Sequence, residues 1–239
     1  MTEPIDQNVT QRKEMPHASL FGHDYLSMKP LVQWLGEVAN TYARGVMLDY
    51  GCGNAPYRLL FQGVVSEYLT ADVEQNKNGT VRLILGKDSS LPLQDSTMDT
   101  VLSTQVLEHV PSPERYLKEA SRVLRARGVL ILTCPASYML HEEPHDYSRF
   151  TLYGLQALLR ACGLHVVRID TGGGAWSLMG QIYLNHLVYA RKIRIPLISG
   201  GLTKIWTILV NVVFGVLDRV NKNSKDPLNY MIIAEKPSL

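Results

Sequence analysis

The chain has 239 residues, 46% of them hydrophobic, which is enough to bury a substantial core in one domain. Its formal net charge is only +2 and its basic residues form no long run, so no nucleic-acid partner is expected. The three cysteines, Cys52, Cys134 and Cys162, lack the paired short spacing of a disulfide framework or zinc knuckle. Residues 1–14 are polar and lack a signal-peptide pattern, which predicts a cytoplasmic protein.

Helical and strand patterns alternate along the chain, which predicts an α/β fold with parallel βαβ units. Helices are expected at 31–42, 112–128, 151–163, 176–189 and 195–220, and strands at 46–50, 68–72, 81–85, 100–103, 129–133, 165–169 and 230–235. We therefore expect a doubly wound, seven-stranded, mostly parallel sheet with a helical insertion before the last strand. A single domain over 1–239 would comprise an N-terminal helical segment (1–44), a ligand-binding core (45–170), a hydrophobic insertion (171–226) and the last strand (227–239).

A glycine turn follows the first predicted strand. Gly51 and Gly53 permit positive φ and let a ligand approach the bare backbone, and Asp72 lies about twenty residues further on, where an acid can bind both ribose hydroxyls. Pro56 stands where dinucleotide-binding turns carry a third glycine, and no Walker lysine is present. The pattern favours a ligand with a ribose but no pyrophosphate; the alternative is a purely structural turn.

Motifs of one family recur around this turn, in the segments Leu48–Gly53, Leu91–Leu93, Met98–Val101, Val106–Val110 and Leu124–Leu130. Together they resemble the class I S-adenosylmethionine-dependent methyltransferases, in the methyltransferase type 11 group. The resemblance covers residues 46–135 and implies a Rossmann-like fold with S-adenosylmethionine as cofactor.

The resemblance also implies roles for particular residues. Asp49 would orient the methionyl ammonium, and Gly51 and Gly53 would cradle the methionine end of the cofactor. Asp72 would bind the ribose. Ser103, Thr104 and Gln105 of strand four would lie along the cofactor. The acid that contacts adenine in the family would be Asp88, shifted by one place.

A dense polar segment, His141–Thr151, follows strand five and is a candidate acceptor site. It resembles a His-x-x-Pro-x-Asp-Tyr-x-Arg-Phe-Thr segment of methyltransferases from glycan and cell-envelope gene clusters. A hydroxyl acceptor needs a route for its proton, and a histidine suits that role. His145 is the first candidate base and His141 the second, while Tyr147 and Arg149 could hold acceptor oxygens.

Structural roles are the alternative at the same positions. Asp146 and Arg149 could form an ion pair, and Tyr147 could pack beneath the loop. His109 is a further candidate for acceptor contact, against a capping or packing role. No metal site is expected, because the His and Glu spacing matches no standard ligand motif.

Two apolar helices are predicted between strands six and seven, and the stretch 195–217 approaches the length of a membrane span. A single crossing would place the last strand on the wrong side, so spanning is not expected. The insertion should form a lid or a homodimer interface, or else a peripheral membrane contact favoured by Arg191, Lys192 and Arg194.

The sequence thus predicts methyl transfer from S-adenosylmethionine to a hydroxyl of a small molecule or sugar. Glycan, cell-envelope or secondary-metabolite biosynthesis would be the setting, and the acceptor could be lipid-linked. Nitrogen or carbon methylation and a non-catalytic S-adenosylmethionine-binding module are the alternatives.

Overall fold

The computed structural model describes residues 18–192, 201–221 and 225–238. Within those ranges the chain forms one sheet flanked by helices. The helices are α1 (Tyr25–Tyr42), α2 (Arg58–Phe61), α3 (Pro113–Val123), α4 (Leu152–Ala161), α5 (Ala175–Lys192) and α6 (Gly201–Val220). The strands are β1 (Val46–Tyr50), β2 (Glu67–Asp72), β3 (Leu83–Ile84), β4 (Met98–Thr104), β5 (Leu124–Pro135), β6 (His165–Gly172) and β7 (Asn229–Glu235).

The seven strands lie in the order β3-β2-β1-β4-β5-β7-β6. The pairs from β3 to β5 are parallel, whereas β7 runs antiparallel to both of its neighbours, β5 and β6. This confirms the expected α/β fold with a seven-stranded, mostly parallel sheet. The chain order reverses between β1 and β4, and in open α/β sheets ligands bind at the carboxyl ends of the strands beside such a point.

Both faces of the sheet are buried, as a doubly wound fold requires. Strand β5 shows this directly, because Leu130 and Leu132 belong to the core packed against α3 and α4, whereas Val129 and Ile131 belong to the core packed against α1 and α2. Burial on both faces explains why the strand reads as a continuous apolar run rather than an alternating one.

The boundaries of two helices differ clearly from the prediction. Helix α1 begins at Tyr25 rather than at Leu31 and runs through Pro30. Helix α3 ends at Val123 rather than near Gly128, and the residues that follow belong to β5. Lys236, which directly follows β7, bonds to this segment. Its carbonyl accepts the amide of Arg127, its amide donates to the carbonyl of Gly128, and its ammonium donates to the carbonyl of Leu124.

Helices α5 and α6 form a hairpin between β6 and β7, as predicted. Asp218 near the end of α6 accepts hydrogen bonds from the amides of Gly174 and Trp176, at 2.6 and 3.1 Å, and so caps the start of α5. The hairpin packs on α1 through a small apolar core that contains Leu26 and Leu184.

The hairpin has an exposed apolar surface, with side chains more than two-fifths exposed at Met179, Ile182, Tyr183, Ile205, Trp206, Leu209, Val212, Val213, Val216 and Val220. Among the described residues, no helix has the length and apolar character needed to cross a bilayer. Residues 195–200 of the predicted apolar stretch, and Arg194, lie outside the described residues. That this face forms a lid, a dimer interface or a lipid contact stays a prediction.

Candidate cofactor and acceptor site

The glycine turn lies at the carboxyl end of β1, beside the reversal in strand order. Gly51 has a φ of 78°, and a Cβ placed there would come within 2.6 Å of the Val106 side chain. Gly53 has a φ of 50°, and a Cβ there would meet nothing within 4 Å. The first glycine is therefore required by close packing, and the second leaves the backbone open to a ligand.

Asp72 lies beside this turn at the end of β2. Its Oδ2 accepts the amide of Gly53 at 2.7 Å and its Oδ1 accepts the amide of Val73 at 2.7 Å. Asn76, which sequence reasoning did not single out, donates to the carbonyl of Gly53 at 2.7 Å. Each carboxylate oxygen of Asp72 has a further lone pair, so the group can also accept two ribose hydroxyls.

Asp49 is buried in β1 with one oxygen bonded and one not. The hydroxyl of Tyr68 donates to its Oδ2 at 2.6 Å, whereas its Oδ1 has no hydrogen-bond partner among the described residues. Burial raises the pKa of Asp49 to about 7, against the opposing effect of the Tyr68 hydrogen bond, and the nearby charge of Asp72 adds to the rise. A buried carboxylate with a free oxygen fits a ligand that brings a cation.

Ser103 near the end of β4 and Gln105 directly after it are expected to line the cofactor, and the side chains of both form hydrogen bonds within the protein. Ser103 is fully buried, and its hydroxyl lies 2.9 Å from that of Tyr116 in the core. Its side chain therefore faces α3, and its place along the cofactor stays a prediction. Gln105 has a φ of 54° and donates to the hydroxyl of Thr133 at 3.1 Å.

Asp88 lies in a short helical turn after β3 and is exposed. Its carboxylate pairs with the guanidinium of Arg115 in α3 at 3.0 Å. Contact of Asp88 with adenine stays a prediction, and it would require this exposed pair to open or to be shared.

The acceptor segment packs against the turn that follows β4. The amides of Tyr147 and Ser148 donate to the carbonyl of Glu108 at 2.8 and 3.2 Å. His109 Nδ1 lies 2.8 Å from the carbonyl oxygen of His145, and the rings of His109 and His141 are 4.7 Å apart. The structure thus brings His109 to the two histidines of the acceptor segment, which sequence reasoning had not linked to it.

Arg149 forms the ion pair that was the alternative to acceptor binding. Its two terminal nitrogens lie 2.5 and 2.7 Å from the two oxygens of Asp146, whose side chain is 1% exposed. The Arg149 hydrogen bonds lower the pKa of Asp146 to about 2. The guanidinium also binds the carbonyls of Ser148 and Met139, so Arg149 organises the loop. Its Nε has no hydrogen-bond partner among the described residues, and its contact with an acceptor stays a prediction.

Tyr147 and His145 lie at the surface. Tyr147 is 49% exposed, so the alternative that it packs beneath the loop is wrong. Its hydroxyl lies 3.2 Å from His145 Nδ1, which makes the two side chains one exposed polar unit. Their proposed contact with an acceptor stays a prediction.

Glu108 is a residue that sequence reasoning did not assign to the site. Its side chain is fully buried, and neither carboxylate oxygen has a hydrogen-bond partner among the described residues. Burial raises its pKa, against the opposing effects of its own backbone amide and of the charges of His109 and Arg149. The sequence offers one signal for a role of Glu108, because this acid directly follows the apolar pair Val106 and Leu107. It lies in the segment Val106–Val110, which the sequence analysis used only for its family resemblance.

The comparisons with known proteins agree with this geometry. A sequence family described as "Methyltransferase domain" matches residues 48–132. A "Probable S-adenosylmethionine-dependent methyltransferase" of Mycobacterium tuberculosis is 29% identical over 96 residues, which cover 37% of this chain and 35% of that protein. A ubiquinone biosynthesis O-methyltransferase of Azoarcus is 24% identical over 186 residues, covering 62% and 78%.

Among solved structures, the cyclase SpnF superposes with a TM-score of 0.56 at 17% identity, covering 87% of this chain and 82% of that one. At this identity the likeness shows the fold alone. The chain spans well under half the length of the first curated relatives that it matches.

The fold and the crevice at the β1 and β4 strand ends define an α/β protein built to bind an adenosyl ligand through a glycine turn and a ribose acid. Residues 48–132 match the methyltransferase domain family, and the chain is similar to S-adenosylmethionine-dependent methyltransferases over this part of its length.

Proposed function

We propose that the protein transfers a methyl group from S-adenosylmethionine to a hydroxyl of a small molecule or sugar. The observation that carries this proposal is a cluster of imidazole and carboxylate groups next to the cofactor turn. Val106 packs against Gly51, and Glu108 and His109 follow it directly. A likeness to an O-methyltransferase named for ubiquinone biosynthesis supports a hydroxyl acceptor.

The residues of the crevice suit the cofactor. The free oxygen of Asp49 would accept the methionyl ammonium, the open backbone at Gly53 would contact the methionine end, and Asp72 would hold the ribose. When bound, S-adenosylmethionine supplies a methyl group on a sulfonium, whose C–S electron pair stays on sulfur as the new O–C bond forms. The protein's part is alignment of the acceptor and removal of its proton.

His145 is the base in this proposal. Its ring is exposed, and its Nδ1 is within hydrogen-bond reach of the Tyr147 hydroxyl, which leaves Nε2 to accept the acceptor's hydroxyl proton. His141 is the second candidate, since Asp146 Oδ2 lies 3.2 Å from its Nδ1 and orients the ring. Tyr147 would hold an acceptor oxygen, and Arg149 would keep the loop in place.

The setting we propose is the cytoplasm. The three cysteines are buried and free, as suits a reducing compartment. Glycan, cell-envelope or secondary-metabolite biosynthesis remains our proposed context, with a lipid-linked acceptor as one class to be tested.

The test is a transfer assay on the full chain with S-adenosylmethionine and matched panels of phenols, sugars, lipid-linked glycans and amines. Methylated product and S-adenosylhomocysteine should appear together with a hydroxyl acceptor. His145→Ala should lower turnover by roughly 10²–10⁴-fold without changing cofactor affinity. His165→Ala, an exposed histidine at the start of β6, is the matched control and should be neutral.

Three outcomes would contradict parts of this proposal. Methylation of amines alone would overturn the hydroxyl assignment. Tight cofactor binding with no transfer to any panel member would indicate a binding module. Full turnover in His145→Ala would remove that residue as the base.

A further inference from the structure

Three potential metal ligands converge at the acceptor side of the crevice. Glu108, His109 and His141 each offer one ligand atom, and these atoms lie within 4.8 Å of one another. Two of them come from the turn after β4 and one from the segment after β5. Because His141 lies far along the chain from the adjacent Glu108 and His109, the spacing matches no standard ligand motif, which is why the sequence predicted no metal.

The carboxylate of Glu108 lacks a counter-ion in direct contact. Its side chain is fully buried and both oxygens are without a hydrogen-bond partner among the described residues. The closest cationic candidate, His109 Nε2, lies 3.8 Å from Oε1, which is too far for a hydrogen bond. Arg149 is committed to Asp146. A buried carboxylate is costly unless a cation or donor satisfies it, so this group calls for a ligand.

The two histidines are oriented as metal ligands usually are. His109 Nδ1 lies 2.8 Å from the carbonyl oxygen of His145, and His141 Nδ1 lies 3.2 Å from both Asp146 Oδ2 and the carbonyl oxygen of Met139. The carbonyl oxygens of His145 and Met139 can accept an Nδ1–H, while Arg149 Nη2 lies 3.4 Å from His141 Nδ1 as a competing donor. In the tautomer with a proton on Nδ1, each ring has its lone pair on Nε2. Metal-bound histidines typically donate their other N–H to a carboxylate or a backbone carbonyl in this way.

We propose that Glu108, His109 and His141 bind a divalent transition-metal ion through one carboxylate oxygen and one ring nitrogen of each histidine. Ligand atoms held about 2.0–2.2 Å from an ion lie about 3–4 Å apart, so small side-chain rotations close the site. Two imidazoles with one carboxylate favour Zn²⁺ or Co²⁺ over Mg²⁺ and Ca²⁺, which prefer oxygen ligands.

Glu142 extends the site toward solvent. Its Oε2 lies 3.7 Å from His109 Nε2, and its side chain is 73% exposed. Because it is exposed, Glu142 can enter or leave the coordination sphere of the metal. When it leaves, one coordination position is open for another oxygen ligand. The identity of this oxygen ligand is the one step that rests on the proposed function. The ligand is then the acceptor hydroxyl, and the metal would make its proton easier for His145 to remove.

The experiment is a calorimetric titration of the metal-free full chain with Zn²⁺, Co²⁺ and Mg²⁺, with no cofactor or acceptor present. We expect one Zn²⁺ or Co²⁺ site per chain and at least tenfold weaker binding of Mg²⁺. His141→Ala and Glu108→Gln should each weaken Zn²⁺ and Co²⁺ binding at least tenfold. The Co²⁺ complex should show a visible absorption band that both variants lose.

Matched controls separate this site from adventitious binding by surface histidines. His145→Ala and His165→Ala should retain the Zn²⁺ site, since neither side chain is a proposed ligand. If Glu108→Gln fails to fold, His141→Ala carries the test, because His141 is only partly buried and folding can be checked by circular dichroism.

The proposal is overturned if the wild-type chain binds neither Zn²⁺ nor Co²⁺, or if His141→Ala binds them as the wild type does. These titrations need no turnover, so failure of the methyl-transfer proposal would leave their result unchanged. Conversely, transfer that is unaffected by chelation of a proven metal would separate the ion from the chemistry.

Discussion

The cofactor side and the acceptor side of the crevice are built in different ways. On the cofactor side, the turn at Gly51 and Gly53 and the acid Asp72 are held by backbone hydrogen bonds close to the β1 and β2 strand ends. On the acceptor side, a buried ion pair and histidines from separate segments hold one another through side chains. The backbone arrangement on the cofactor side can bind the same cofactor throughout a family, whereas the side-chain arrangement on the acceptor side can change with the acceptor.

The largest expected effect breaks the acceptor side alone. Arg149→Ala leaves the buried carboxylate of Asp146 without its partner and should lower the free energy of unfolding by about 3 kcal/mol. We expect the lower end of the range for a broken buried ion pair because Arg149 is partly exposed. Denaturant melts would measure the loss. S-adenosylmethionine affinity of the folded variant should stay unchanged.

Arg149→Lys sharpens this test, because it keeps the charge but loses the paired hydrogen bonds. It should recover part of the stability. A large loss of cofactor affinity in either folded variant would show that the two sides are not independent.

On the cofactor side, affinity should depend on pH through Asp49. Its pKa is about 7 because of burial, and the ammonium of the cofactor binds the ionised form. Affinity should therefore fall by up to about tenfold for each pH unit below 7 and level off above it. Calorimetry in two buffers should also detect proton release on binding near pH 6.

Asp49→Asn is the control for that pH dependence. It should bind the cofactor more weakly at pH 8 and with a flat pH profile between 5 and 8. A wild-type affinity that is the same at pH 5.5 and pH 8 would contradict the role of Asp49.

The ribose contact should be worth less. Asp72→Ala should weaken S-adenosylmethionine binding by about 1–3 kcal/mol, because charged hydrogen bonds to two hydroxyls are lost. Asp95→Ala, an exposed acid before β4 that pairs with Arg122, is the control and should bind normally. Equal affinity in the two variants would refute the ribose role.

The smallest effect should come from Tyr68→Phe. It removes one hydrogen bond to Asp49, so we expect about 1 kcal/mol of lost stability and a further rise in the pKa of Asp49. The pH below which cofactor affinity declines should move upward. An unchanged pH profile would show that Tyr68 does not tune Asp49.

The same contrast explains what could be predicted from sequence. The strands, the order of the elements and the cofactor turn were predictable because periodicity and glycine positions are local signals. The end of α3 was misplaced because β5 begins at Leu124, where the chain pairs with Met98 of β4, and that pairing is not a local signal. The hydrogen-bond partner of Ser103 could not be predicted from sequence, because it comes from packing on Tyr116 in α3.

Long-range packing also hid part of the acceptor side. The ion pair of Asp146 with Arg149 was foreseen because the two residues are three apart. The convergence of Glu108 and His141 was not, since it depends on how the segment after β5 folds back onto the turn after β4. Neither composition nor spacing carries that information.

The central claim is that the crevice beside Gly51 binds S-adenosylmethionine. Calorimetric titration of the full chain with S-adenosylmethionine, S-adenosylhomocysteine and NADH tests it most directly. The account predicts saturable binding of the first two, weakened by Asp72→Ala, and no competition by NADH. Preferential binding of NADH, or no binding of either adenosyl ligand, would contradict it.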